Sequence, residues 1–148
     1  MRYLCFILTI ALCLAASCSI KIVNVIKHNQ NDASKVADKF ANLAFIKSDY
    51  AAAYNLIDPE LQKTVSVERL KDEVAKMHPN DRPASLQAIE YEPIPSQHAM
   101  NIYLKGTLDK TEFFYRLLMT GDQESGYKVG GFFRGKGPYP PAVLRKPL

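Results

Sequence analysis

The chain has no tryptophan, few cysteines and glycines, and no massed charge of either sign among its 148 residues. Two of its three cysteines, Cys5 and Cys13, lie in an apolar block at the amino end. Loss of that block would leave Cys18 as the sole thiol, and a lone thiol closes no internal disulfide, so the domain must hold together by its core. The glycines supply no phosphate-cradling loop, because Gly135-Lys136-Gly137-Pro138 follows a strand pattern without opening a helix. Nineteen Lys and Arg against 15 Asp and Glu give a net charge of +4. These charges are scattered, which excludes the clustered basic and aromatic surface that nucleic acid requires. No Ser, Thr or Cys stands in a nucleophile motif. His28, His78 and His98 lack metal-ligand spacing and read as surface residues, so neither a metal nor another cofactor is expected.

What the chain does have is one long uncharged run. Arg2 stands beside the amino terminus, residues 4–14 are almost wholly apolar, and Ala15-Ala16-Ser17 precede Cys18, the layout of a secretory signal peptide. The segment resembles the signal of a bacterial lipoprotein, whose small residues precede a cysteine that is lipidated and becomes the first mature residue. It departs from that pattern at Ala15, where a leucine is usual and Leu14 lies one step further out. The resemblance implies a signal over 1–17, acylation at Cys18 and export to a membrane, facing the periplasm from the outer membrane where the cell has two membranes. Ser19 is similar to the outer-membrane type. Two alternatives remain open: retention of the uncharged run as a membrane helix, near the minimum spanning length, or simple secretion after Ser17. Residues 18–32 read as a tether, apolar and then polar, lying at the membrane or docking on the domain as an edge strand.

Roughly 130 residues then remain, enough for one core. Asp32 or Ser34 can cap a first helix to about Lys47, with Ala33, Val36, Ala37, Phe40, Leu43 and Ala44 on one face. Ser48-Asp49 caps a second helix over 50–57, stopped at Asp58-Pro59. Ser66 opens a third through Met77, with Val67, Leu70, Val74 and Met77 inside. Past two prolines in 78–83 the apolar period falls to two, giving strands over 85–91, 99–108, 112–120 and 126–134. Short loops make neighbours antiparallel. The third strand is apolar on both sides and belongs in the sheet interior, while Gly130-Gly131 marks a bulge. Residues 136–148, with Pro138, Pro140, Pro141 and Pro147, are expected as an extended, mobile basic tail.

The expected fold is therefore α+β, three N-terminal helices on a curved four-stranded antiparallel sheet. The order of elements, the run from Phe45 to Leu61 and the glycine-aromatic stretch Tyr127-Lys128-Val129-Gly130-Gly131-Phe132-Phe133 resemble the NTF2-like superfamily of cone-shaped domains, here over 33–135. A cystatin-like arrangement is the nearest alternative. Such folds host enzymes, secretion-machine subunits and binding modules alike. Asp49 reads as a first-turn residue rather than a base. Glu90, Tyr103, Tyr115 and Arg116 could meet across strands as a pocket for a small anion or aromatic ligand, against the simpler reading of tyrosines with buried rings and wet hydroxyls. Three functions follow as expectations: a non-catalytic envelope lipoprotein that binds a protein or its own copies, a small-ligand or isomerase-like pocket, or a membrane-anchored subunit of a secretion or conjugation machine.

Overall fold

The structure, a computed structural model, describes residues 26–148. The expected signal, Cys18 and all of the tether's apolar half except Ile26 lie outside the described residues.

Helix α1 (Gln30–Ala41) begins earlier than expected, because Asn29 is its cap and the Asn29 side chain accepts from the N–H groups of Asn31 and Asp32. Asp32 instead occupies the first turn, where a negative charge complements the helix dipole. The polar end of the expected tether is also seated: Asn29 N–H donates to the Tyr127 hydroxyl at 2.7 Å, and Lys27 C=O accepts from Gln123 N–H. Helix α1 runs on into a turn of π-helix (Asn42–Ile46), closed by Lys47 N–H donating to Asn42 C=O. The residue gained in that wider turn brings Phe45 round beside Phe40, their rings edge to face at 5.8 Å.

Asp49 caps α2 (Tyr50–Tyr54), which is shorter than expected. The chain leaves it to bridge Ile57 to Val129, with Asp58 N–H donating to Val129 C=O and Val129 N–H to Leu56 C=O. Asp58 then caps an unforeseen one-turn helix, α3 (Pro59–Gln62), with proline at its start. Ser66 caps α4 (Val67–Met77), as its position beside the apolar stripe predicts. The three expected helices are thus four, with a π turn.

The sheet comprises β1 (Ser85–Pro93), β2 (Ala99–Leu108), β3 (Thr111–Asp122), β4 (Gly126–Gly135) and a two-residue β5 (Lys146–Pro147), antiparallel throughout in the order β4-β3-β2-β1-β5. The fold is α+β, with five strands rather than four. Gly130 is the expected bulge, and a Cβ there would stand 2.6 Å from the Thr120 methyl. A second bulge, at Ile89, interrupts β1. The Asp38 carboxylate accepts the Ala88 N–H beside it at 2.7 Å, tying α1 to that strand.

Helix α1 lies across β1 to β4. Ile102, Tyr115, Leu117 and Met119 point up from the sheet to meet Phe40 and Phe45, and all are sealed from solvent. The carboxyl-terminal tail is not free. It leaves β4 at one edge, crosses the opposite face of the sheet and ends as β5 on the far edge, paired with Glu90 and Tyr91.

Candidate functional site

Strand register decides which of the four expected pocket residues meet. Glu90 pairs with Tyr103, Tyr103 with Arg116, and Arg116 with Phe133, so these four form a row across the outer face of the sheet. Tyr115 cannot join them. Successive strand residues point to opposite faces, and Tyr115, paired with Leu104, projects among the helices.

There Tyr115 meets a residue expected on the surface. His78 is only 6% exposed. Its Nδ1 lies 3.0 Å from Val74 C=O and its Nε2 2.8 Å from the Tyr115 hydroxyl. A carbonyl only accepts, so Nδ1 carries the proton and Nε2 accepts from Tyr115. Burial pushes His78 below the usual histidine range, with Arg134 and Arg82 adding to the effect, and burial raises the Tyr115 hydroxyl. A signal existed: Leu70, Val74 and His78 share a spacing of four, which continues the inner stripe of α4 past its last turn. The other histidines lie elsewhere, His98 paired with Asp122 and His28 beside Gln97 C=O.

On the outer face the tail completes the arrangement. The Arg145 guanidinium stacks over the Tyr103 ring at 3.9 Å from its centroid, and the Tyr139 ring meets Tyr103 edge to face at 5.2 Å. Arg145 donates from Nη1 to Tyr139 C=O at 3.1 Å and lies 3.7 Å from the Glu90 carboxylate. Its side chain is 8% exposed, although it belongs to the tail expected to be extended and mobile. Tyr103 donates its hydroxyl proton to Glu92. Burial raises the Tyr103 hydroxyl and the Glu92 carboxylate reinforces this, while burial likewise raises Tyr139, so both rings stay neutral through the physiological range. Arg116 lies over the Phe133 ring at 5.0 Å. Between tail and sheet is a cavity of about 400 Å³ walled by Ile89, Glu90, Tyr103, Phe114, Tyr139 and Pro147, among others.

Flat aromatic walls flanked by carboxylates suit a planar cation, and such a contact contributes about 0.5–2 kcal/mol according to its desolvation. No proton-transfer set is aligned here, since Glu92 is engaged by a phenol and Glu90 faces a guanidinium. Among the described residues no group of three or more His, Cys, Asp or Glu side chains converges as a metal site, and no helix is long and apolar enough to cross a membrane. Compared with protein-family models, with curated proteins and with solved structures, the chain finds no match.

Proposed function

We propose that this chain is an exported, lipid-anchored envelope protein whose NTF2-like domain binds another protein without catalysing a reaction. The observation that carries the reading is the outer row of Glu90, Tyr103, Arg116 and Phe133, mixed aromatic and charged, in which the tail buries Tyr103 and Phe133 remains 49% exposed. Arginines and aromatics at the centre of a surface are the residue types that dominate protein interfaces. The space between sheet and helices, where an enzyme of this resemblance would hold substrate, is filled by Phe40, Phe45, Tyr115 and Leu117. The anchor rests on the apolar run before Cys18.

Two measurements on the full-length gene product in a bacterial envelope test this. Its intact mass should be that of a chain beginning at Cys18 plus acyl groups, whereas an unprocessed mass would restore the retained-helix, secretion-subunit reading. A photo-crosslinking residue at Phe133 should capture a discrete protein in living cells, and the same probe at the exposed Ala51 on α2 should not. Equal, diffuse labelling from both positions would reject protein binding at this face. The cavity under the tail supports a small ligand as the second reading, which predicts no protein adduct from Phe133.

A further inference from the structure

The tail does not pack along its whole length. Tyr139 and residues 145–148 touch the sheet, yet Val143 between them is 99% exposed and a Cβ on Gly137 would meet nothing within 4 Å. What seats the tail is the Tyr139 ring and the Arg145 guanidinium, both on Tyr103, followed by a short strand. Lys146 and Pro147 pair with Tyr91 and Glu90, and Leu148 N–H donates to Ile89 C=O. The fit at Arg145 is incomplete: its Nε is buried without an acceptor, and its distance to Glu90 exceeds that of a close ion pair. Beyond the positions that β5 and Leu148 occupy, β1's outer edge continues to Ser85 on one side and Pro93 on the other, with the Ala88 N–H taken by Asp38.

Resting on the reading of the outer face as a protein-binding surface, we infer that Tyr103, Tyr139, Glu90 and the β1 edge form a recognition site for an arginine-bearing extended segment of a partner protein, which this chain's own Arg145 occupies as a resident competitor. The partner's arginine would take the ring of Tyr103, and its backbone would run antiparallel along β1, adding a strand where β5 now lies. Lysine would not substitute, because the site offers a flat ring face and a peptide carbonyl to a planar fork rather than a single carboxylate to a point charge. Tethering makes the resident tail a competitor at an effective concentration near the millimolar range, so a partner must first displace it.

The probe is a labelled synthetic peptide with the sequence of residues 142–148, which carries Arg145 but not Tyr139, titrated by fluorescence anisotropy into the detergent-extracted full chain. The Arg145→Ala chain, its competitor weakened, should bind the peptide about tenfold more tightly than the unaltered chain. A peptide carrying Arg145→Lys should bind severalfold more weakly, and Tyr103→Ala in the chain should abolish binding. Should Tyr103→Ala fail to fold by circular dichroism, Tyr139→Ala in the Arg145→Ala chain must weaken the peptide instead. Equal affinity for the Arg and Lys peptides, or no binding to the Arg145→Ala chain, overturns the inference while leaving photo-crosslinking at Phe133 as independent support for a protein-binding face. Dimers of the unaltered chain that Arg145→Ala dissolves would identify the occupant as a second copy's tail and overturn the partner assignment.

Discussion

The two faces of one sheet are held by different physics. On the inner face Phe40, Phe45, Ile102, Leu117 and Met119 are fully buried, and the polar pair of His78 and Tyr115 is satisfied within the interior by one hydrogen bond to each other and one to Val74 C=O. Each large apolar side chain so buried contributes about 1.5–3 kcal/mol. The outer face relies on a few specific contacts instead: a guanidinium on Tyr103, another on Phe133, and a two-residue strand. Such contacts are worth roughly 0.5–2 kcal/mol each and depend on orientation. The inner face therefore carries most of the apolar burial, and the fold is expected to survive loss of the contacts that cover the outer face.

The largest test of that division is Phe45→Ala. Phe45 stacks on Tyr115 at 5.0 Å and touches the rings of Phe40, His78 and Phe132. Its truncation should cost about 3–5 kcal/mol in urea unfolding. A loss below about 1 kcal/mol would mean that the inner face does not dominate stability.

Tyr115→Phe sharpens the comparison with a smaller, chemically specific change. It keeps the ring and removes the proton that His78 Nε2 accepts, so the expected cost is about 1–2 kcal/mol. The same pair gives the domain a pH dependence. Burial holds His78 below its unfolded value near 6.5, so the unfolded chain binds the proton more readily. Stability from this group is complete above about pH 6.5 and falls as the pH drops below it. Replacing His78 with Gln should flatten the unfolding free energy between pH 7 and 5. An unchanged slope in that variant would place the titrating group elsewhere.

Residue patterns carried much of this architecture. The cap at Ser66, the strands over 99–108 and 126–134 and the bulge at Gly130 all follow from local chemistry, since hydroxyl caps, period-two alternation and paired glycines act over a few residues. The π turn at Asn42–Ile46 was not legible, because no residue type marks a single widened turn. Nor was the course of the tail, whose prolines signal extension but not direction. Three of the four candidate site residues do meet, because alternation assigns Tyr103, Arg116 and Glu90 to one face once register is known. Tyr115 failed for the same reason, its neighbour in sequence being on the other side. Arg145, the residue that completes the outer site, is separated from Tyr103 by more than forty positions, a distance at which composition says nothing about contact.

The smallest expected effect isolates the outer face. Arg145→Lys keeps the charge and most of the stem but replaces a flat guanidinium with a compact ammonium that cannot lie on the Tyr103 ring while donating to Tyr139 C=O. Because the sealed interior does not touch this position, the global unfolding free energy should change by less than about 1 kcal/mol. The tail itself should loosen, and limited trypsin digestion reads that directly at Lys136, the basic residue just beyond β4. Both chains carry the same number of cleavable positions, so faster cutting after Lys136 in the variant reports local opening rather than a new site. A global loss approaching that of Phe45→Ala would mean instead that the strap and the inner core unfold as one unit, and the separation of the two faces would fail.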